Sequence, residues 1–298
     1  IDTSTPEKPT RIAEFVLSDK PFLKLAHHQD TIYASGGKHG LFIIDVADAG
    51  NPQLIDTMAE GDGVWGVIAA ENYLYISSGK YFLDTYHLER PHRPKRVDRQ
   101  LLPNLVWEMN FVNGHLFVPT RKEGLLVFDA GNPKRPYLLA RSKDRIDVET
   151  IAVDHNIALL TNRKKDIFAY DISNPAMPIR VLECDLAFRP RNSVLVDNLA
   201  FVATGLTGLQ VVDISKVPRQ KVLPSMHIPG LLKQVIFDDN YFYLATGKHG
   251  LYIAERIPGK ELSTIVSSLP LPGLVQNMVR SGDYLYAASS KAGLLVVD

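Results

Sequence analysis

The sequence predicts an all-β fold, a seven-bladed β-propeller of four-stranded blades, and three observations carry that expectation. A repeat of about 42 residues runs from end to end, each repeat holds four short strand signals, and the first strand signal arrives without the three that should precede it. Aligning the residues that close a hydrophobic strand in an acidic position puts Asp2, Asp45, His87, Asp129, Asp171, Asp213, Glu255 and Asp298 in register, at spacings of 43, 42, 42, 42, 42, 42 and 43. Seven units account for the whole chain, so residues 1–298 are read as one domain. A period of this length made of short strands points to a propeller, because a single blade cannot bury its two faces without neighbours.

The first repeat sets the pattern. Residues 10–16, 22–27, 31–35 and 40–46 are apolar, β-branched or aromatic runs separated by turn residues, and are labelled strands d, a, b and c. Strand b holds a bulky residue at Tyr33, Tyr75, Phe117, Leu159, Phe201, Tyr243 and Tyr286, one period apart, which assigns these side chains to the core. The a–b connections read as two-residue hairpins at Glu71-Asn72, Asn113-Gly114, Asp197-Asn198 and Asp239-Asn240, since Asn and Gly tolerate the positive φ of such turns. The d strand at residues 10–16 precedes any a, b or c strand and is expected to complete the last blade, beside the strand at 293–298, so that two exposed sheet edges vanish together.

The c strands read GLFIID (40–45), GLLVFD (124–129), GLQVVD (208–213) and GLLVVD (293–298), and two continue as DAGNPKRP (129–136) and DISNPAMP (171–178). This pattern resembles the LVIVD-repeat family of bacterial β-propellers, and the resemblance extends over all seven units. Repeats two, four and six depart from it: Phe82 and Asp166 replace the hairpin Gly, His87 replaces the strand-end Asp, and the segment after Glu255 lacks the Asn-Pro turn. The resemblance implies a secreted, cell-surface or periplasmic bacterial protein with an interaction role, and brings no shared catalytic residue.

Composition sets further bounds. Thirty-three basic and 33 acidic residues give a formal net charge of zero, which implies no global attraction to nucleic acid or membrane. No apolar run approaches the ~18 residues of a membrane-spanning helix, and no basic-plus-apolar leader is visible. Because the chain begins inside a repeat, removal of a leader or excision from a longer protein remains open. The lone Cys184 is read as a small residue near the end of a d strand. Phosphate loops, GxSxG elbows, His-Glu-x-x-His, CxxC and calcium-loop spacings are missing, so no catalytic residue, metal or cofactor is assigned. The paired His27-His28 and the distant His39 and His249 offer no ligand spacing. The strand-end Asp before Ser/Gly, Asn and Pro reads as a turn cap.

Position in the blade is then the guide to function. The position ten residues before the b-strand aromatic borders the channel and holds Leu23, Trp65, Trp107, Glu149, Arg191, Lys233 and Gln276. The next position adds Lys24, Glu108, Thr150, Asn192, Gln234 and Asn277. Core positions repeat because they solve one packing problem seven times, whereas this rim diverges. It is read as a binding funnel with an aromatic half at Trp65 and Trp107 and a charged half at Glu149, Arg189, Arg191 and Lys233. Seven residues before each strand-end acid stand Lys38, Lys80, Lys122, Lys164, Leu206, Lys248 and Lys291, a lysine corona expected on the same face, with Arg121 and Arg163 preceding two of them. The opposite face should collect the strand-end acids and the turn residues Asp30, Glu71, Asp154, Asp197, Asp239 and Asp283, interrupted by the basic run from Arg90 to Arg99. These features favour a non-catalytic module that presents the funnel face to a protein, glycan or other anionic partner. The alternative is a hydrolase or lyase using Glu149 or Glu108 as general base, with Arg191 and Lys233 stabilising a developing anion.

Overall fold

The computed structural model describes residues 6–17, 20–58, 63–79, 81–217, 219–238, 240–257 and 263–298. Among these residues there are 28 strands, from β1 (Arg11–Phe15) to β28 (Gly293–Val297), and no helix long and apolar enough to cross a membrane. They form seven four-stranded antiparallel sheets. The innermost strands β2 (Lys24–His28), β6 (Val64–Ala70), β10 (Asn110–Val112), β14 (Thr150–Asp154), β18 (Asn192–Val196), β22 (Gln234–Asp238) and β26 (Val275–Ser281) touch their neighbours in turn, and β26 returns to β2. The architecture is a seven-bladed β-propeller.

Alternation along each strand builds the core between blades rather than within them. Seven buried apolar clusters each combine residues of two successive blades. On strand β3 (Thr31–Ser35), Tyr33 packs toward the second blade with Leu74 and Ile76, while Ile32 and Ala34 pack toward the last blade with Tyr286 and Leu294. The seven bulky b-strand residues are all buried, Tyr243 being the most exposed at 7%. The period of two in the strand thus becomes one apolar interface per blade junction.

Ring closure follows the expected pairing. Strand β1 runs antiparallel to β28 with Arg11 opposite Val297 and Phe15 opposite Leu294. Thr10 and Asp298 exchange both backbone hydrogen bonds at 2.9 Å. The N-terminal strand is therefore the outer strand of the last blade.

The recurrent Gly-Leu that opens the c strands has a steric origin. Gly124, Gly208, Gly250 and Gly293 lie at φ of +71°, +88°, +85° and +70°. A Cβ at these positions would stand 2.1 to 2.4 Å from a backbone carbonyl oxygen of Asp144, Met226, Leu269 or Phe15 respectively. The hairpin can reach the outer strand only without a side chain there. Where the glycine is missing the site is built differently: the Arg99 guanidinium lies 4.6 Å over the Phe82 ring, and Asp166 accepts a hydrogen bond from Asn162.

Turns obey the local chemistry of the sequence. Glu71, Asn113, Gly114, Asp197 and Asn198 have positive φ, as do Gln29 and His155 in the corresponding turns. Asp239 of the fourth expected hairpin lies outside the described residues. The strand-end carboxylates of Asp45, Asp129, Asp171 and Asp213 each accept a hydrogen bond from the backbone N–H two residues on, at 2.8 to 2.9 Å. Hydrogen bonds to the charged form, chiefly from these backbone N–H groups at Asp129 and Asp171 and from the Ser215 side chain and then its N–H at Asp213, hold the three carboxyls below the usual carboxylate range.

Two expectations are corrected. The basic run from Arg90 to Arg99 is not a c–d loop throughout, because its second half is strand β9 (Lys95–Leu101). There Arg99 makes a two-pronged ion pair, Nε to Oδ1 at 2.6 Å and Nη2 to Oδ2 at 2.9 Å, with Asp84, a carboxylate fully buried in strand β8 (Phe82–His87). Arg96 and Arg99 thus turn to this acid within the blade, while the loop half of the run, with Arg90 and His92, lies beside Asp30 and Asp45. The first strands are also shorter than the apolar runs suggest: β1 covers Arg11–Phe15 and β2 begins at Lys24, because the flanking residues serve the d–a loop. Cys184 is a buried thiol in strand β17 (Ile179–Asp185), and burial pushes its pKa up.

Candidate functional site

The innermost strands begin at the channel mouth, and the residue type at that point decides what each blade contributes. Trp65 lies in a bulge of β6, between the paired residues Val64 and Val67, which re-aims its indole toward the first blade. Its ring packs on the backbone of Gly37 and meets Trp107 edge-on, with centroids 5.0 Å apart at 67°. Its Nε1 donates to the Gly79 carbonyl at 3.1 Å. Both indoles are half-buried, so part of each belongs to the packing between blades and part faces the mouth.

One step deeper, the channel encloses about 390 Å³ lined by Lys24, Trp107, Glu108, Gln234 and Asn277 among others. Glu108 crosses this space: Lys24 Nζ lies 3.2 Å and Asn192 Nδ2 3.4 Å from its Oε1. The amides are clamps between blades. Asn192 accepts from the Val235 N–H, Asn277 from the Leu25 N–H and Gln234 from the Met278 N–H. Thr150 is bonded to Thr161 within its own blade. The adjacent ring therefore holds neighbouring blades together.

The charged half is brought together. Glu149, with a side chain 19% exposed, receives Arg121 Nη2 at 3.3 Å on one carboxylate oxygen, and Arg189 Nη2 at 3.1 Å with Arg163 Nε at 3.6 Å on the other. Arg191 lies against the backbone of Gly205, where an added Cβ would stand 3.1 Å from its Nε. Burial, the nearby Arg189 guanidinium and a weaker opposing pull from Glu149 leave Arg191 with a lowered pKa. Lys233 is lowered by burial and by Arg191 and Arg189. Gln276 is half-buried, the extra residue of a bulge between Val275 and Asn277, and joins neither half by a side-chain bond.

Arg121 and Arg163 were not among the funnel residues expected from the sequence, although a signal for them exists. The residue before the hairpin lysine, or before Leu206 in the fifth blade, is Gly37, Gly79, Gly205 and Gly247 in four blades, all with positive φ, but Arg121 and Arg163 in the third and fourth. A long cation where the repeat has glycine can reach Glu149 from the hairpin, Arg121 with a half-buried side chain that also lies 5.9 Å over the Trp107 ring and Arg163 from an exposed position.

The hairpin lysines point the other way. Lys38, Lys122, Lys164, Lys248 and Lys291 are exposed, each in a b–c hairpin that borders the d–a segment leading to the channel, and Lys80 lies outside the described residues. Leu206, the exception of the series, is 72% exposed. Among the buried side-chain atoms without a hydrogen-bond partner in the described residues are Trp107 Nε1, Glu108 Oε2, Arg121 Nε and Arg189 Nε, all around the mouth.

The fold and this mouth define the class: a seven-bladed β-propeller with a cationic and aromatic channel entrance. The LVIVD repeat family model, of a repeat family associated with β-propellers, matches three segments of the chain, residues 147–186, 192–217 and 272–298. Among solved structures it is similar to the WD40 β-propeller domain of Doa1, at 12% identity and a TM-score of 0.73 over 98% of this chain and 97% of that one. It is also similar to the computationally designed Ika8 protein, at 10% identity and a TM-score of 0.70 over 96% and 98% of the two chains. At such identities the likeness concerns the fold alone. A search of curated proteins by sequence finds no match.

Proposed function

We propose that this propeller is a non-catalytic interaction module of a secreted or cell-surface bacterial protein, and that it takes an anionic group of a protein or glycan partner at the channel mouth. The observation that carries this reading is the charge imbalance there: Arg121, Arg163 and Arg189 converge on a single carboxylate, Glu149, and Arg191 and Lys233 add two further cations close to Arg189. Half-buried cations held close together raise one another's energy, and an incoming anion would relieve that repulsion. The paired indoles beside them supply rigid apolar area of the kind that anchors partners. The LVIVD repeats support an interaction role, and the bacterial surface location rests on that family resemblance.

The enzyme reading finds less support in the geometry. Glu149 has arginines on both carboxylate oxygens and would have to break those contacts to take a proton from a substrate, which leaves the enzyme reading resting on Glu108 Oε2, opposite the Oε1 held by Lys24 and Asn192. The test is capture of a partner from a native extract by the full chain, followed by affinity measurements. Trp65→Ala, Trp107→Ala or Arg191→Ala should each weaken binding by about 2 kcal/mol. Alanine at the hairpin lysines should mainly slow association and flatten its salt dependence. Binding indifferent to both sets would remove the mouth from consideration, and turnover lost on Glu149→Gln would establish the enzyme.

A further inference from the structure

The distribution of charge within the mouth goes further than its sum. Three of the five cations lie within 4.0 Å of Glu149, whereas Arg191 lies over Gly205, whose backbone bridges to Leu232 beside Lys233, and neither Arg191 nor Lys233 makes a side-chain hydrogen bond or ion pair among the described residues. Their immediate chain neighbours at the channel, Asn192 and Gln234, are neutral and already spent on clamps between blades. Of the other acids near this side, Glu108 is held deeper in the channel by Lys24 and Asn192, and Asp166 and Asp185, opposite each other on β16 (Asp166–Asp171) and β17, line an outer cleft with Lys165 and Arg189. They do not neutralise Arg191 or Lys233. The fifth blade is also the one whose hairpin lysine is replaced, by Leu206, so its positive charge sits inward on Arg191 rather than outward on the rim.

We propose that Arg189, Arg191 and Lys233 form a subsite for one tetrahedral dianionic group, a sulfate or phosphate monoester, with Glu149 as the built-in counter-ion that holds the arginines in place when the subsite is vacant. Two unpaired cations and a third shared with Glu149 match a dianion better than a single carboxylate. Arg offers planar pairs of donors and Lys a point charge, the combination that suits three oxygens around one centre. Arg191 is backed by the Gly205 backbone, which limits the freedom lost when it binds. Glu149 opposes the incoming charge, so its removal should strengthen binding. This sign separates a counter-ion from a ligand contact or a general base. The inference rests on the reading of the mouth as the binding face, and its test needs no partner.

The experiment measures the acetylation rate of each lysine by mass spectrometry in the full chain at constant ionic strength. Sodium sulfate, a phosphomonoester, a sulfated monosaccharide and acetate are compared as probes. Lys233 should be protected about tenfold when sulfate or a monoester is present at about ten times its Kd, while Lys38 and Lys291 keep their rates and acetate protects little. Arg191→Ala, or Arg189→Ala if the first variant is not folded, should abolish the protection. Glu149→Gln should shift half-protection to about tenfold lower anion concentration, as expected for removing one like charge a few ångströms away. A preference between the two ester probes identifies the source of the group. Lys233 protected no better than Lys38 would overturn the proposal, as would Glu149→Gln weakening the protection. Protection without any partner binding would leave this subsite standing and refute the interaction module.

Discussion

Replacing Gly293 by Ala should open the propeller at its seam. Gly293 begins β28 at φ +70°, and a Cβ there would meet the Phe15 carbonyl oxygen at 2.1 Å and the Val16 Cα at 3.0 Å. The left-handed backbone alone costs an L-residue about 1 to 2 kcal/mol. Relieving the contact requires the end of β1 to move by roughly an ångström, enough to break about two hydrogen bonds worth ~1 kcal/mol each. Phe15 would also lose part of its packing on the cluster of Phe22, Phe42 and Leu294, on the order of 1 kcal/mol. The total is about 4 kcal/mol. With an unfolding entropy near 2.1 cal/mol/K per residue, a chain of this length should then melt about 6 °C lower. Gly282 is the control, because it has φ +54° and nothing within 4 Å of an added Cβ, so Gly282→Ala carries only the backbone term. Thermal melts followed by circular dichroism compare the two, and amide exchange reports whether β1 has detached. Equal melting temperatures for the two variants, or undiminished protection of the β1 amides in Gly293→Ala, would refute the seam argument.

Other consequences can be checked in the same way. Removing the chain through residue 16 should cost about 5 kcal/mol or more, comparable with a whole domain's margin, and a synthetic peptide of residues 6–17 added in trans should restore part of it in denaturant titrations. Asp84→Asn should destabilise by about 3 kcal/mol, because it leaves the Arg99 guanidinium without the buried carboxylate it grips at 2.6 Å, and a urea midpoint unchanged from the native protein would contradict that role. Asp129, Asp171 and Asp213 have folded pKa values below their unfolded ones, so their turn caps contribute stability that is complete above the ordinary carboxylate pKa and is lost as pH falls through the folded values. Urea titrations from neutral pH down into the acid range should therefore show a steeper loss for the native protein than for the triple Asp→Asn variant, with equal slopes counting against the capping account.

The sequence by itself determined the number of blades, the strand order, the buried b-strand aromatics, the turn caps and the closing role of residues 10–16, because each of these is a local or periodic requirement. A period-two strand with Tyr33 on one face and Ile32 on the other declares its burial without reference to distant residues, and a repeat states the same solution seven times. The positions of the channel mouth were legible as the places where the repeat fails: Trp65, Trp107, Glu149, Arg191 and Lys233 all occupy one register position. Their relationships were not legible. That Glu149 would be held by Arg121, Arg163 and Arg189, that Glu108 would span the channel to Lys24 and Asn192, and that Arg191 and Lys233 would be left without an ion pair among the described residues depend on bringing residues 14 to 84 positions apart to one axis. Periodicity specifies what every blade shares, and such contacts are made once, between blades that differ. Only the closed ring, by setting the distance and direction between neighbouring strand starts, decided which charges neutralise each other and which are left over.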